Sequence, residues 1–232
     1  MIEKRTFDSL GRFQNSWLNA RHHFSFSSYR DPKRDQWGTI RVWNDDEIEP
    51  GQGFAPHSHN DMEIITYVRE GAITHKDSLG NQGRTEAGDV QVMSAGNGIT
   101  HAEYNLEDKR TKLFQIWIIP ETTGAPPSWD AAKFPKGDRS GQFVTLASGF
   151  ADDEGALPIR QKARVLGATL KAGETITYSL APARHAYLVS SQGVANVNGV
   201  DLYERDAAAI KDEDTLTITA VVDTELVLVD AP

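Results

Sequence analysis

The chain has 232 residues, of which 39% are hydrophobic and 25% are charged, a composition typical of one large or two modest globular domains. Its formal net charge is −9, and its Lys and Arg residues are scattered along the sequence, which argues against nucleic acid or an anionic membrane as a partner. Cysteine is absent, so disulfides, thiolate metal sites and cysteine nucleophiles are excluded, and any bound metal must use nitrogen and oxygen ligands.

The first residues are not expected to act as a secretory signal. Residues 1–13 carry charges and are not followed by an apolar stretch of secretory length. No later segment is apolar over a length that spans a bilayer. We therefore expect a cytoplasmic protein that does not enter a membrane.

Short apolar segments rich in β-branched and aromatic residues recur along the whole chain. They are bounded by Gly, Pro, Asn or Asp, which is typical of strands joined by turns, and helical periodicity is scarce. The segments are residues 39–43, 63–68, 89–93, 113–119, 142–147, 186–190, 215–222 and 225–229. This pattern predicts an all-β fold of the sandwich or barrel type.

A stretch rich in proline and glycine interrupts the strand pattern at residues 120–141. Such a composition breaks strands and favours a connection between domains. We place the boundary inside it, with one domain at residues 1–133 and a second at residues 134–232.

The two halves show a weak internal repeat. Aligning Gly51 with Gly173 also aligns Gly71 with Gly193, so two copies of one β module are the simplest interpretation. Every polar residue discussed below as a metal ligand is replaced in the second copy. In this alignment, His57 falls on Ser179, His59 on Ala181, His101 on Ile218 and Glu103 on Ala220. The fold itself therefore does not need those polar side chains.

Two short motifs carry the candidate metal ligands. His57 and His59 lie two residues apart on a predicted strand, so their side chains share one face about 6–7 Å apart. His101 and Glu103 repeat this spacing after a glycine-rich turn. Together the pairs predict a site of three imidazoles and one carboxylate that leaves coordination positions open for chemistry.

Glu63 is a rival for the carboxylate ligand. Its side chain would point to the same face of a strand as that of His59, but in an unbent strand the two side chains would lie about 13 Å apart. We therefore prefer Glu103 as the ligand. We expect Glu63 to orient the ligands without binding the metal itself, unless a bulge or sharp bend brings it closer.

The other histidines are expected to have structural roles. His22 and His23 fit packing or hydrogen bonding, with the alternative that His23 lines a pocket. His75 and His185 are expected in hairpins or on the surface.

Several segments resemble one known family. "GQGFAPHSHNDMEIITYVREG" and "GDVQVMSAGNGITHAEYN" resemble the two cupin motifs in the form found in pirins, and "HHFSFSSYRDP", "HKDSLGN" and "QIWIIP" resemble that family's framework segments. The resemblance implies two cupin barrels (double-stranded β-helix, or jelly-roll) in tandem, the second of them degenerate. It also implies one divalent metal on His57, His59, His101 and Glu103, with Fe²⁺ expected and Cu, Ni, Mn or Zn left open.

The resemblance further implies a quercetin 2,3-dioxygenase that takes a flavonol and O₂ as substrates. Glu103 would then be the catalytic base for the flavonol 3-hydroxyl, with Glu63 in reserve. A redox-sensing regulatory module without turnover is the alternative, and a metal-assisted isomerase or hydrolase is a third hypothesis. We expect a monomer.

Overall fold

The computed structural model describes all residues 1–232 and contains 22 strands with three short 3-10 helices. The strands of the first part are β1 (Ile2–Arg5), β2 (Gly11–Gln14), β3 (Leu18–His22), β4 (Ile40–Ile48), β5 (Gly53–His59), β6 (Glu63–Glu70), β7 (Ala72–Asp77), β8 (Gln82–Glu86), β9 (Val90–Ser94), β10 (Ile99–Tyr104), β11 (Thr111–Ile118) and β12 (Ser128–Ala132). Those of the second part are β13 (Val144–Ser148), β14 (Leu157–Pro158), β15 (Arg164–Leu170), β16 (Thr175–Ser179), β17 (His185–Gln192), β18 (Ala195–Val197), β19 (Val200–Leu202), β20 (Ala207–Lys211), β21 (Thr215–Ala220) and β22 (Thr224–Ala231).

The 3-10 helices are Phe7–Ser9, Pro32–Arg34 and Lys136–Arg139. None of the helices has the length and apolar character needed to cross a bilayer.

The chain divides into two compact units. The N-terminal unit contains Gly11–Phe134 and Leu157–Gln161. The C-terminal unit contains Met1–Leu10, Pro135–Ala156 and Lys162–Pro232.

The start of the chain, Met1–Leu10, belongs to the C-terminal unit, whereas the sequence predicts it in a domain at residues 1–133. The reason is that β1 pairs antiparallel with β20, with Ile2 opposite Ile210. A strand can complete its backbone hydrogen bonds at any free edge of a sheet. Its pairing partner therefore need not be a neighbouring segment of the chain. The domain ranges 1–133 and 134–232 otherwise stay a prediction.

Two antiparallel sheets build the N-terminal unit. The larger sheet has the order β12-β9-β6-β11-β4-β3-β2, and the smaller has the order β5-β10-β7-β8. Ile73 of the smaller sheet packs in one cluster with Val68 and Leu113 of the larger sheet, so this core lies between the sheets. Buried and half-buried residues alternate along β10, as expected for a strand with one face on such a core.

The C-terminal unit repeats this design. One of its sheets contains, in order, β1-β20-β17-β22-β15-β13, and the other has the order β16-β21-β18-β19. Leu188, Ile218 and Leu228 pack in its core, which contains only aliphatic residues among its fully buried members. The prediction of an all-β chain made of two similar modules is confirmed.

Strand pairing and burial can be compared between the two units. In the N-terminal unit His57 is opposite His101, which is buried on the inward face of β10. In the C-terminal unit Ser179 is opposite Thr215, but Thr215 is exposed, so the two pairings do not match position by position. The inward face of β21 carries the apolar residues Leu216 and Ile218 where β10 carries His101 and Glu103.

Candidate metal centre

Two paired strands carry the predicted ligands. β5 provides His57 and His59, and β10 provides His101 and Glu103. His57 lies directly opposite His101 in the antiparallel pair. Side chains that are opposite each other on one face of a sheet lie close together, so the pairing brings the two motifs to one place.

A bulge in β5 sets the direction of its histidines. His101 is opposite His57 but Glu103 is opposite Phe54, so β5 uses one more residue than β10 over this stretch. Pro56 lies in the bulge. A bulged residue is not paired in the ladder, so the lack of an N–H group on proline removes no hydrogen bond there. The carbonyl of Ala55 accepts a hydrogen bond from His57 Nδ1 at 2.7 Å.

The glycine-rich turn before β10 has a steric cause. Gly96 and Gly98 have φ values of +50° and +134°, a range that favours glycine. A Cβ on Gly96 would lie 2.0 Å from the carbonyl oxygen of Ala125, so no other residue fits without movement of the backbone. The turn thereby fixes where β10 begins and where His101 lies.

The structure brings three imidazoles together. The ring centroids are 4.5 Å apart for His57 and His101, 4.8 Å for His57 and His59, and 5.0 Å for His59 and His101. One ring nitrogen from each lies within 4.8 Å of the others, which is the spacing of side chains that can share one ion.

Burial keeps two of these rings in the neutral form. Burial, reinforced by His57, lowers the pKa of His59 to about 4. Burial and the neighbouring histidines lower the pKa of His101 to about 3. Neutral imidazole is the form that binds metals, so His59 and His101 are ready for coordination at neutral pH.

Unpartnered nitrogens show that the residues fit a metal. The Nε2 atoms of His59 and His101 are buried and have no hydrogen-bond partner within the protein. A buried polar atom without a partner is destabilising by about 1–3 kcal/mol. His57 donates its Nδ1 hydrogen to Ala55, which leaves its Nε2 as the free nitrogen. A divalent cation would satisfy these atoms together.

Glu103 lies beside the histidines, fully inside the unit. Its carboxylate accepts hydrogen bonds from Thr66 Oγ1 at 3.1 Å, Gln91 Nε2 at 2.6 Å and Gln115 Nε2 at 2.5 Å. A carboxylate oxygen also lies within 4.8 Å of a ring nitrogen of His101. Burial raises the pKa of Glu103 to about 7, against the opposing effect of these hydrogen bonds.

Glu63 lies in a different environment. The chain turns between β5 and β6, with Asp61 at a φ of 46°, so Glu63 begins the next strand instead of extending the strand of His59. Ser94 Oγ donates to its carboxylate at 2.6 Å. Burial raises the pKa of Glu63, although Ser94 and Arg160 oppose the shift. Glu63 belongs to neither of the two groups of side chains that could hold a metal, which are His57 with His59 and His101, and His75 with His101 and Glu103.

His22 and His23 are both buried, as expected. His22 Nδ1 lies 2.8 Å from Asn44 Oδ1, and His23 packs against Trp43 with ring centroids 5.9 Å apart. His22, and not His23, lines the cavity next to the metal centre.

His75 lies in the β7–β8 hairpin, opposite Gly83, which is one of the two expected locations. The alternative of a surface position is wrong, because its side chain is fully buried. Its neighbour in the sheet, β10, orients it toward the interior next to His101. No local pattern distinguishes it, since its partners come from distant strands. His185 is half-buried on β17.

A cavity of about 640 Å³ opens onto His57 and His59. Its walls are mainly apolar and include the aromatic side chains of Trp17, Phe26, Phe54 and Trp117. Polar groups converge on the same space from His22, Asn44, Asp46 and Gln115. An apolar cavity with a few polar groups beside a metal centre is the usual form of a small-molecule site.

Comparison with known proteins supports this interpretation. The family model "Pirin" matches residues 3–118, and that of the quercetinase C-terminal cupin domain matches residues 145–231. A pirin-like protein of Caulobacter vibrioides is 67% identical over 231 residues, covering 100% of both chains. Quercetin 2,3-dioxygenase of Escherichia coli is 39% identical and covers 100% of this chain and 99% of its own.

A solved structure agrees with the fold. The bacterial pirin YhhW of Escherichia coli, in complex with nickel(II), has a TM-score of 0.94 and 38% identity, covering 100% of this chain and 99% of its own. The fold is thus the predicted tandem of cupin-type modules, and the histidine and glutamate group is compatible with one divalent metal. On these matches the chain belongs to the pirin family.

Proposed function

We propose that the protein is a metal-dependent dioxygenase that cleaves flavonols such as quercetin with O₂. The observation that carries the proposal is the combination of two features, a cluster of three imidazoles and a mainly apolar cavity of about 640 Å³ that is lined by two of them, His57 and His59. This volume falls in the range of about 300–1,000 Å³ that small-molecule sites occupy. The names of relatives such as the Escherichia coli quercetin 2,3-dioxygenase point to the same chemistry.

We assign His57, His59, His101 and Glu103 as the residues that would hold the metal. When bound, the metal would supply a Lewis acid that stabilises the oxyanion of the flavonol 3-hydroxyl. Imidazole and carboxylate ligands suit Fe²⁺, and we propose Fe²⁺ as the native ion, with Cu, Ni, Mn and Zn to be compared by reconstitution.

Glu103 is the proposed base for the 3-hydroxyl proton. It lies next to His101, inside the unit, and its three hydrogen-bond donors keep its carboxylate in one orientation. Glu63 is a weaker choice for this reserve role, because Ser94 and Arg160 hold it in a separate place. Glu63 would instead support the site indirectly, through β6, the strand that follows the turn after His59.

The cavity walls suit a flat aromatic substrate. Phe26 and Trp117 meet edge to face with ring centroids 5.5 Å apart, and Trp17 and Phe54 meet similarly at 5.3 Å. Aromatic rings prefer such contacts, so a flavonol ring system would find partners on two sides. The His22 and Asn44 pair could then hydrogen-bond substrate hydroxyls at the cavity wall.

The test is oxygen consumption by the reconstituted protein. Metal-free protein is loaded anaerobically with Fe²⁺ or another divalent ion, quercetin is added, and O₂ uptake and carbon monoxide release are measured. We expect uptake that depends on the metal and that His59→Ala abolishes. His185→Ala makes the same change outside the centre and should leave uptake intact.

Stoichiometric metal binding without O₂ uptake would refute the dioxygenase. That result would favour the alternative, a regulatory module whose metal senses redox state, or a different cupin reaction. The predicted cytoplasmic location and monomeric state stay predictions.

A further inference from the structure

A second buried histidine lies behind His101. His75 Nδ1 lies 3.4 Å from His101 Nδ1, and His75 Nε2 lies 3.0 Å from Asp77 Oδ2. His75 and Asp77 are two residues apart on β7, which pairs with β10 so that Asp77 is opposite His101. The three side chains thus form one continuous series of contacts, and the function proposed above uses neither His75 nor Asp77.

Asp77 is fixed as a hydrogen-bond acceptor. Its Oδ1 accepts from the backbone N–H groups of Leu79 at 2.9 Å and of Asn81 at 3.0 Å. Its Oδ2 accepts from Asn81 Nδ2 at 2.9 Å. Burial opposes ionisation of Asp77, but hydrogen bonds from Asn81, His75 and Leu79 outweigh it and hold the pKa of the carboxyl below its usual value. Because these three N–H groups point at its two oxygens, the carboxylate is held as an acceptor of hydrogen bonds.

The Asp77 carboxylate determines which nitrogen of each histidine donates and which accepts a hydrogen bond. His75 Nε2 must donate to Asp77, and a neutral imidazole carries only one N–H, so His75 Nδ1 has a lone pair. That lone pair can accept only if His101 Nδ1 carries the hydrogen. His101 then keeps its lone pair on Nε2, which is the buried nitrogen that has no partner within the protein.

Stacking fixes the plane of the His75 ring. Trp129 lies parallel to it, with ring centroids 4.7 Å apart and an angle of 9° between the planes. The His75 side chain has no exposed surface, so its ring cannot turn without displacing Trp129. A fixed ring plane keeps both of its nitrogens aimed at the same partners.

We propose that Asp77 and His75 are positioning residues that hold His101 in its Nδ1–H tautomer, so that Nε2 presents its lone pair to the metal. The inference rests on the metal centre proposed above. Groups that hydrogen-bond to a ligating histidine fix its tautomer and orientation, and their loss commonly weakens metal binding about 10–100-fold.

The first test reads the tautomer directly in the metal-free protein. Long-range proton–nitrogen correlation spectra near neutral pH should show hydrogen on Nδ1 of His101 in the wild type. Asp77→Asn should reverse the series. The amide oxygen would keep the two backbone donors, its NH₂ would donate to His75, and His101 would carry hydrogen on Nε2. Asp130→Asn makes the same change on an exposed side chain of β12 and should alter nothing.

A wild-type His101 with hydrogen on Nε2 would overturn the proposal, and so would an Asp77→Asn variant that keeps hydrogen on Nδ1. The wild-type spectrum needs no substitution, so this test holds even if a variant fails to fold.

The second test measures the dissociation constant for Ni²⁺ by calorimetry. We expect Asp77→Asn and His75→Phe to bind Ni²⁺ about 10–100-fold more weakly than the wild type, and Asp130→Asn to match the wild type. Phe keeps a flat ring against Trp129 and removes both nitrogens.

His57→Ala separates the two proposals. If the wild type binds no Ni²⁺, or if His57→Ala binds it equally well, the metal centre is wrong and the positioning role is wrong with it. If His57→Ala loses Ni²⁺ while Asp77→Asn and His75→Phe bind like the wild type, the metal centre stands and the positioning role is refuted.

Discussion

The buried carboxylate of Glu103 should make the metal-free protein lose stability as the pH rises. Burial raises the pKa of Glu103 from its usual 4.5 to about 7. The folded state therefore holds this proton more tightly than the unfolded state. Stability from this source is complete below about pH 4.5 and falls as the pH rises through 7.

The magnitude follows from the size of the shift. A change of about 2.5 pKa units corresponds to about 3 kcal/mol of unfolding free energy, at about 1.4 kcal/mol per unit. Glu103→Gln removes the titrating group. The free energy of unfolding of the variant minus that of the wild type should thus increase by about 3 kcal/mol between about pH 4.5 and about pH 8. Any fixed penalty from the new amide cancels in this comparison, because it does not depend on pH.

Urea denaturation of chelator-treated protein at several pH values measures this difference. Glu107→Gln is the matched control. Arg84 lowers the pKa of Glu107, so the stability of this variant relative to the wild type changes mainly below about pH 4.5 and should stay nearly constant between about pH 5 and about pH 8. A Glu103→Gln difference that stays constant with pH would show that Glu103 ionises normally. The Glu103 carboxylate would then not be desolvated in the folded protein, which would contradict the environment on which its proposed role depends.

Three further predictions concern the strands and their ligands. Gly53→Ala would place a Cβ 2.1 Å from the backbone oxygen of Glu103. We therefore expect denaturation to show a loss of about 1–3 kcal/mol of stability, and we expect weaker Ni²⁺ binding. In the control Gly137→Ala, the new Cβ meets no atom within 4 Å, so this change should be neutral. His59→Ala should remove the metal without unfolding, as metal analysis and circular dichroism would show, because the C-terminal unit folds without this histidine; loss of the folded spectrum would contradict the repeat. Glu63→Gln should keep bound metal while Glu103→Gln binds it more weakly, and equal losses in a metal titration would mean that the ligand assignment is wrong.

The sequence alone was sufficient for the features that depend on local pattern. Alternating apolar residues and glycine turns identified the strands and the repeated module, because side-chain direction and turn geometry are decided within a few residues. For the same reason, the spacing of His57 and His59, and of His101 and Glu103, predicted which side chains share a face. The family resemblance added the cupin fold and the flavonol chemistry.

Only the tertiary structure decided which groups meet across distant strands. The pairing of β7 with β10 buries His75 against His101, although nothing near His75 in the sequence marks it as buried. The turn at Asp61 moves Glu63 onto a different sheet, and the pairing of β1 with β20 takes the start of the chain to the C-terminal unit. Backbone hydrogen bonds and packed side chains can be satisfied by partners from anywhere along the chain, so a local pattern does not name them.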